Sequence, residues 1–399
     1  MRVRIIGYLK THPTVLRFAW FLVGCFIKIY GRIVHIQPKT MIFSSFGGRS
    51  YDDSPKALYD EICKRKEFDG WRLIWAFTEP EKIQIPRGEK VKIDTLAFFK
   101  AVLHSRVWIS NSGMARGVSI KRKGVVYIQT WHGTPLKRIG GEENQGSIRK
   151  GHIRKRASGF EMIRCAQSEY DKKIFARVNN ADEKEFVMSD LPRNDRLLEY
   201  RQDEVWHIKE SLGIPLDKKI ILYMPTYREF LIDKNNLTYL APPMNIKKWE
   251  NQLSDKYVLL IRAHYAVNKA LELEESSFVK NVSDYQVLSD LYAIADIMIS
   301  DYSSSYFDFA ILDRPMFCFA YDLEEYENKR GLYVQLEDIL PCSIDKDEDT
   351  LLKHIKTMNE EKMCVDTKRF HAKYAGHAGK ASCIVIDELI NKLKRTGEL

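Results

Sequence analysis

The sequence lacks the glycine and cysteine patterns that identify many ligand sites. Its seven cysteines are scattered and none form a C-x-x-C pair, which removes the usual support for a zinc ribbon or a thioredoxin-like motif. The chain contains neither the G-x-x-x-x-G-K-[S/T] of a P-loop nor a clear G-x-G-x-x-G. It also has no internal repeat or low-complexity tract. Any nucleotide that binds is therefore held without these glycine fingerprints.

An apolar run long enough to cross a membrane is missing from the N-terminal segment. The run Phe18–Ile27 has about ten uncharged residues, roughly half of what a spanning helix needs. Residues 1–40 carry seven basic side chains and no acidic one. A basic, aromatic segment of this kind predicts a helix that lies on an anionic membrane surface. A helix buried in the protein and a signal peptide are the alternatives, although no small-x-small cleavage site follows the run.

The positive charge is confined to two segments. The 399 residues include 63 Lys and Arg against 54 Asp and Glu, a formal charge of +9. Residues 1–40 contribute +7 and residues 116–156 contribute +9, because the latter hold eleven basic and two acidic side chains. The rest of the chain sums to −7. This distribution predicts that one segment meets the membrane and that the other meets a phosphate-bearing acceptor.

Short apolar runs alternate with amphipathic stretches, which predicts an α/β protein with parallel sheets. We expect two Rossmann-like domains that face each other across a cleft, at residues 39–205 and 206–399, after a membrane-associated segment at 1–38. Ligands in such sheets bind at the carboxyl ends of the strands. The predicted strands are Met41–Phe46, Trp71–Phe77, Val107–Ser110, Val125–Thr130, Lys219–Met224, Tyr257–Arg262, Ile297–Ser300 and Met316–Ala320.

His132 is the first candidate functional residue, because it directly follows a predicted strand. Gly133 allows a ligand to approach the backbone closely, and Thr134-Pro135 resembles a helix start. A histidine here can accept a proton near neutral pH, and a nearby carboxylate would raise its basicity. A histidine in isolation is more often structural, but its position beside the basic segment favours catalysis.

Three further segments follow predicted strands or turns. Arg262 and His264 end one strand and could hold phosphate oxygens, unless Arg262 pairs with a structural carboxylate. Asp301 and the serines at 303–305 lead from a strand into a helix, where hydroxyl and backbone N–H groups suit an anion, unless Ser303 is only a cap. Residues 191–195 indicate a turn by composition, and we expect it to be structural.

With these residues described, the chain resembles the CDP-glycerol glycerophosphotransferases, the teichoic-acid-type enzymes. The similarity spans roughly residues 41–345, and its most specific parts are W-H-G-T-P and D-Y-S-S. Asp190 stands where that family commonly has a glycine. The motifs, in the family's order, are Q-T-W-H-G-T-P-L-K at 129–137, P-R-N-D at 192–195, L-Y-M-P-T-Y-R at 222–228, R-A-H at 262–264, S-D-Y-S-S at 300–304 with Phe307-Asp308, and Y-D-L-E-E-Y at 321–326 with Arg330-Gly331.

The resemblance implies a GT-B-like fold and transfer of an alditol phosphate from CDP-glycerol to a lipid-linked saccharide, with release of CMP. It implies His132 as general base and His264 as a second catalytic histidine at the pyrophosphate. The donor and its phosphates would be held by Thr226, Arg262, Asp301, Ser303, Ser304, Arg330, Arg193, Asn194 and Asp195. The acceptor side would be formed by Gly133, Thr134, Lys137 and Arg138.

The same resemblance implies a peripheral protein at the cytoplasmic face of the cell membrane. We assign no metal ligand and no cofactor, with CDP-glycerol as the donor substrate. The resemblance leaves open glycerol or ribitol as the alditol, a divalent-ion requirement and the oligomeric state. Two other functions remain as alternatives. A GT-B glycosyltransferase would share the architecture but react at carbon. A basic nucleic-acid-binding protein would use residues 116–156, which lack an HTH, RRM or zinc pattern.

Overall fold

Two parallel β-sheets form the framework of the protein. A computed structural model describes residues 21, 24–27, 29–116, 118, 120, 122–144, 159–226, 228, 243–263, 274–397 and 399. Every pairing between the named strands is parallel, in the order β3-β2-β1-β4-β5-β6-β7 for the first sheet and β10-β9-β8-β11-β12-β13 for the second. The strand order reverses beside β1 in one sheet and beside β8 in the other, and such switch points place ligands at the carboxyl ends of the strands.

The strands of the first sheet are β1 Gln37–Ser44, β2 Arg72–Phe77, β3 Glu89–Lys92, β4 Ser105–Ser110, β5 Val125–Gln129, β6 Phe160–Ala166 and β7 Phe186–Met188. Those of the second sheet are β8 Lys219–Tyr223, β9 Tyr257–Ile261, β10 Val279–Asn281, β11 Ile297–Ser300, β12 Met316–Phe319 and β13 Ile344–Asp345. In the described residues, the α-helices after β1 are α1 Asp53–Lys64, α2 Leu96–His104, α3 Glu169–Asn179, α4 Gln202–Ser211, α5 Ile246–Leu253, α6 Leu288–Ile294, α7 Ser305–Phe309, α8 Leu323–Lys329, α9 Leu336–Ile339, α10 Glu348–Thr357, α11 Glu360–Tyr374 and α12 Ala381–Arg395.

Each sheet is buried on both faces, which explains why its central strands are almost continuously apolar. In β1, Met41 and Phe43 pack into one hydrophobic cluster and Ile42 into another on the opposite face. The same alternation in β8 separates the two clusters of the second sheet. Successive side chains of a strand point to opposite faces, so a strand covered by helices on both sides must be apolar at every position.

The eight predicted strands are confirmed; β11 matches at both ends, and no end of the others differs by more than four residues. Five strands were not predicted: β3, β6, β7, β10 and β13. Four of them have two to four residues. The fifth, β6, carries Glu161 and Arg164, and the Arg164 guanidinium pairs with Glu185 (2.9 Å). These strands are either too short or too polar to give an apolar run.

The helix start predicted at Thr134-Pro135 is wrong. Residues 131–139 form no helix. Lys137 instead makes an antiparallel bridge to Leu332, which lies between α8 and α9. Thr134 is buried, and its hydroxyl donates to Oε1 of Gln167 (2.7 Å). Because the Thr134 hydroxyl is hydrogen-bonded to a buried side chain, it does not cap the backbone of its own segment. The Thr-Pro sequence was therefore not sufficient to predict a helix start.

The last helix, α12, returns to the first sheet. Val385, Ile386 and Leu389 are buried in the cluster that contains Phe43. The carboxylate of Asp195 accepts hydrogen bonds from the first two backbone N–H groups of this helix, those of Ala381 (2.9 Å) and Ser382 (2.7 Å). The end of the chain therefore packs with residues that precede position 206.

Residues just before β1 are helical and have two different faces. Residues 24–27 and 29–33 are helical; Ile27 is buried against the first sheet, whereas Phe26, Ile29 and Ile33 are 52%, 60% and 70% exposed. Within the described residues, no helix has the length and apolar character needed to cross a membrane.

Candidate active site

A cavity of about 280 Å³ lies between the carboxyl ends of the two sheets. We call it the central pocket. It is lined by Phe46, Asp52, Asp53, His132, Arg193, Asn194, Leu197, Met224, Arg262, Leu288, Ser289, Tyr292, Ser303, Ser304, Ser305 and Asp308. The location agrees with the rule for parallel sheets, and five of the predicted site residues meet here with His132.

The ring of His132 is held in one orientation at the wall of the central pocket. It stacks on Trp131, with ring centroids 4.6 Å apart, and Nδ1 lies 2.9 Å from the backbone oxygen of Asn111 at the end of β4. A carbonyl oxygen only accepts hydrogen bonds, so Nδ1 carries the proton in this contact. In the neutral ring, Nε2 is then the basic nitrogen that can take a proton.

Gly133 brings the two sheets into contact. Its φ of +143° lies in the region that favours glycine, and an added Cβ would lie 2.3 Å from Oγ of Ser304. The sequence predicted that this glycine lets a ligand approach. The group that approaches it in the structure is Ser304, which belongs to the segment after β11.

A chain of buried hydrogen bonds supports the loop that carries His132. The Thr134 hydroxyl donates to Oε1 of Gln167 (2.7 Å), and Nε2 of Gln167 donates to Oδ1 of Asp190 (2.7 Å). Asp190 has a φ of +68°, which explains why glycine suits this position in the family that the sequence resembles. Burial raises the pKa of Asp190 to about 7, assisted by the charge of Asp308 and opposed by hydrogen bonds from Leu191 and Gln167.

Arg193 connects both sheets by two ion pairs. Nη1 contacts Oδ2 of Asp53 (2.8 Å) at the start of α1, and Nη2 contacts Oδ2 of Asp308 (2.7 Å) in α7. Nη1 also donates to the backbone oxygen of His132 (3.1 Å). Burial by itself would lower the pKa of Arg193, but the carboxylates of Asp308 and Asp53 outweigh it and raise that pKa.

The rest of the predicted turn is also occupied by protein contacts. Residues Pro192–Leu198 form a 3₁₀-helix. Nδ2 of Asn194 donates to Oδ1 of Asp308 (2.9 Å), and Asp195 holds the start of α12. Arg193 and Asn194 still line the central pocket, so they shape its wall while they hold the two sheets together.

Arg262 presents a cation to the central pocket. Its Nη1 donates to the backbone oxygen of Tyr285 (2.6 Å) and, more weakly, to that of Val282 (3.4 Å). Burial lowers the pKa of Arg262. The structural carboxylate considered for this arginine is not found among the described residues, whose ion pairs do not include Arg262. Asp52 and Asp284 act electrostatically on Arg262, but neither forms an ion pair with it, so its guanidinium remains suited to an anionic ligand.

Ser303 and Ser304 face Arg262 across the same pocket. Oγ of Ser303 accepts from the backbone N–H of Ser305 (3.2 Å), and the residue before α7 is Ser304, whose side chain makes no capping bond. Ser303 therefore contributes to the start of the helix, as the alternative interpretation held, and also lines the pocket.

Asp301 and Thr226 lie behind the pocket wall. Asp301 is wholly buried, accepts from the backbone N–H of Thr226 (3.0 Å) and pairs with Nη1 of Arg228 (2.8 Å). Arg228 also pairs with Asp322 (2.7 Å). Neither Asp301 nor Thr226 lines the central pocket. The carboxylate is committed to Arg228, so its contribution is to fix the loop that begins after β8.

A smaller cavity of about 200 Å³ adjoins the central pocket at His132, Ser303 and Ser304. Gly133, Thr134, Lys137 and Arg330 also line it, and Nη1 of Arg330 lies 3.6 Å from Glu143. Arg138 lies outside, where Nε donates to the backbone oxygen of Leu332 (3.1 Å). His264 falls outside the described residues.

Sequence reasoning did not identify Asp52 or Asp53 as pocket residues. Both follow the end of β1, and Asp53 has a φ of +64°. The same strand-end rule that selected His132 could have selected them, because they follow the predicted strand Met41–Phe46. Burial raises the pKa of Asp52, with Arg193 and Lys56 opposing the shift.

Comparison with known proteins identifies the family. Residues 27–391 match the model of the CDP-glycerol:poly(glycerophosphate) glycerophosphotransferases. The chain belongs to this family. Its membership favours phosphoryl transfer over the glycosyl-transfer and nucleic-acid-binding alternatives, and the resemblance seen in the motifs is confirmed.

Named relatives of this glycerophosphotransferase family member act in teichoic acid synthesis. The chain is 33% identical over 373 residues to a teichoic acid poly(glycerol phosphate) polymerase of Staphylococcus epidermidis, covering 90% of this chain and 51% of the relative. It is 31% identical to a teichoic acid glycerol-phosphate transferase of Staphylococcus aureus, covering 86% of this chain and 92% of the relative. The chain thus spans about half of the first relative and nearly all of the second.

The fold of this family member agrees with a solved structure. The wall teichoic acid polymerase TagF superposes with a TM-score of 0.81 at 32% identity, covering 91% of each chain. The two parallel sheets are thus arranged as in TagF, in a GT-B-like fold, as the motifs implied.

We predict that Arg193→Met lowers the free energy of unfolding by about 3–5 kcal/mol, because it leaves the buried Asp53 and Asp308 without their cation. Urea titration followed by circular dichroism measures the loss. Asp308→Asn in the Arg193→Met background should restore part of it, since one uncompensated charge is removed. Arg196→Met is the control: its ion pair with Glu204 is on the surface, so we expect a loss below about 1 kcal/mol. Equal losses of unfolding free energy in Arg193→Met and Arg196→Met would contradict a special role of the Arg193 ion pairs in stability.

We also predict a change in the pH dependence of stability from Asp190→Asn. The folded pKa of Asp190 is raised to about 7, so its contribution to stability is present at low pH and is lost as the pH rises from about 4 towards 7. Asparagine tolerates the positive φ and does not titrate. The fall in unfolding free energy between pH 5 and pH 7.5, measured by urea titration, should be smaller in the variant. An unchanged slope would show that Asp190 is ionised throughout this range.

Proposed function

We propose that the protein transfers glycerol phosphate from CDP-glycerol to a hydroxyl of a lipid-linked saccharide and releases CMP. The observation that carries this proposal is the central pocket, where the ring of His132, with Nδ1 hydrogen-bonded to the Asn111 backbone oxygen, and the guanidinium of Arg262 line one cavity. The names of the relatives support glycerol phosphate as the transferred group.

His132 acts as the general base in this proposal. The acceptor oxygen attacks the phosphorus that bears the glycerol, the acceptor proton passes to Nε2, and the bond from that phosphorus to the CMP oxygen breaks. The contact of Nδ1 with the Asn111 backbone oxygen keeps the ring in the tautomer that this step needs. It also stabilises the imidazolium that forms, because Nδ1–H remains hydrogen-bonded. His264, which is outside the described residues, is proposed to assist at the pyrophosphate.

The donor phosphates are proposed to bind between Arg262 and the hydroxyls of Ser303 and Ser304. Arg330, at the wall of the smaller cavity, adds a second positive charge beside the same serines. Phosphoryl transfer depends mainly on positioning and on neutralising the phosphate oxygens, and these groups supply both. Asp301, Asn194 and Asp195 support this arrangement from behind the wall, through Arg228, Asp308 and α12 respectively.

Close contact between Gly133 and Ser304 links the two halves of the proposed reaction. The base is on the loop after β5, and the proposed phosphate ligands are on the loop after β11. Because a Cβ at position 133 would overlap Ser304, the two loops meet at the shortest distance that the backbone allows. In this proposal, the attacking oxygen of the acceptor and the phosphorus of the donor lie close together without a large movement of either loop.

We further propose that the protein attaches to the cytoplasmic membrane surface through its N-terminal segment. Phe26, Ile29 and Ile33 expose one apolar stripe, while Ile27 anchors the opposite side of the helix to the first sheet. Exposed apolar stripes of this kind beside basic residues suit an anionic lipid surface. Attachment here would bring a lipid-linked acceptor to the protein.

We predict that His132→Ala lowers kcat by at least about 100-fold, because proton transfer to a positioned base contributes roughly 10²–10⁴. The assay measures incorporation of labelled glycerol from CDP-glycerol into a lipid-linked disaccharide. Binding of CDP-glycerol, measured by calorimetry, should change by less than about twofold. Near-normal turnover in this variant would remove His132 from the role of base.

The contrasting variant is Ser303→Ala with Ser304→Ala, which leaves His132 in place. We expect it to weaken CDP-glycerol binding by about tenfold, since two hydroxyls that contact charged phosphate are lost. The pair of variants therefore separates the base from the donor site. Unchanged donor affinity in the double serine variant would place the phosphates elsewhere.

We predict that Phe26→Ser with Ile33→Ser reduces binding to anionic phospholipid vesicles, because the apolar area available for insertion is lost. Flotation of the protein with vesicles in a density gradient measures the bound fraction. The matched control is Leu216→Ser with Val365→Ser, since these apolar side chains are exposed elsewhere (49% and 45%). Undiminished flotation of the first variant would exclude this helix as the attachment site.

A further inference from the structure

A second cavity, of about 310 Å³, opens from the side of the central pocket. We call it the lateral cleft. It lies between α1, the 3₁₀-helix Pro192–Leu198 and the start of α12, and it shares Asp52, Asp53, Arg193 and Ser289 with the central pocket. Its volume is at the lower end of the range for small-molecule sites, about 300–1,000 Å³. A ligand in the lateral cleft can thus reach the wall that also carries His132.

The lateral cleft is acidic although the protein as a whole is basic. Seven carboxylates and four basic side chains line it, which leaves a formal charge of −3. Two close ion pairs lie within the cleft, Lys56 with Asp60 (2.7 Å) and Arg193 with Asp53 (2.8 Å), and they leave five carboxylates against two basic side chains. The central pocket is less acidic, because three carboxylates and two arginines line it, a formal charge of −1.

The polar and aromatic groups of the lateral cleft suit a polyhydroxyl ligand. Tyr51 and Tyr200 line it together with the carboxylates. Carboxylates accept hydrogen bonds from hydroxyl groups, and aromatic side chains provide apolar surface for the C–H faces of a sugar ring. A chain of phosphodiesters would instead meet like charges, which disfavour association strongly in a partly enclosed site.

We propose that the lateral cleft is the acceptor site and that it selects an uncharged saccharide end over an acceptor already extended with glycerol phosphate. Asp52 is proposed as the specificity-determining residue, because it lines both cavities at their junction. Its carboxylate accepts a hydrogen bond from the saccharide and repels a phosphate. The inference rests on the proposed function and deepens it by naming the acceptor class.

The first test compares two acceptors in the transfer assay: a lipid-linked disaccharide and the same molecule extended by several glycerol phosphate units. We expect a KM at least about tenfold lower for the unextended acceptor, with a difference that narrows as salt is added. Asp52→Asn should reduce this preference by about tenfold. Asp217→Asn, an equal change of charge at an exposed position, should leave the preference unchanged.

An equal or lower KM for the extended acceptor would overturn the inference and leave the proposed function intact. Transfer to neither acceptor would instead count against the proposed function.

The location of the acceptor can be tested separately by alkylation of Cys383, an exposed thiol that lines the lateral cleft. We expect the unextended acceptor to slow alkylation of Cys383 at least about threefold, measured by peptide mass spectrometry, with Cys364 unaffected. Absence of protection would remove the acceptor from this cleft.

Discussion

The ion pairs of Arg193 are the interaction on which the arrangement of the two sheets depends. One guanidinium reaches Asp53 beside the first sheet, Asp308 beside the second and the backbone of His132 between them. A buried carboxylate without a cation raises the free energy of the folded state. Separation of the two sheets would leave Asp53 or Asp308 without the Arg193 guanidinium. The fixed fork of a guanidinium suits three acceptors in different directions, which a lysine ammonium on a flexible stem would hold less rigidly. The position of the loop that carries His132 is therefore linked to the contact between the sheets.

Much of the fold could be predicted from the sequence, because the central strands of both sheets are buried on two faces and read as apolar runs. Polar edge strands such as β3, with Glu89, Lys90 and Lys92, gave no such signal. The site was predictable where chemistry follows a strand directly, as at His132 and Arg262. The contact of Gly133 with Ser304 was not, since it depends on how two distant segments meet.

Neighbouring residues of one motif contact different parts of the fold, which their spacing in the sequence does not indicate. Arg193, Asn194 and Asp195 are adjacent, yet their side chains contact three different parts of the fold. Asp301 and Ser303 are two positions apart, but one is committed to the buried Arg228 and the other lines the central pocket. A short helix or turn points successive side chains in different directions, so a motif of consecutive residues can combine a ligand site with the supports of that site.

Part of the positive charge that first indicated an anionic partner acts within the protein, as three arginines of the described residues show. In the basic segment at 116–156, Arg116 pairs with Asp94 (2.8 Å), Arg122 donates to backbone oxygens of Gly31 and Val34, and Arg138 donates to that of Leu332. Those contacts use cations to hold loops against the fold, so they add little attraction for a distant ligand. The local sign of charge then matters more than the total. A cation at Arg262 and an acidic lateral cleft on opposite sides of one pocket would keep an anionic donor and an uncharged acceptor in separate places until His132 joins their reaction.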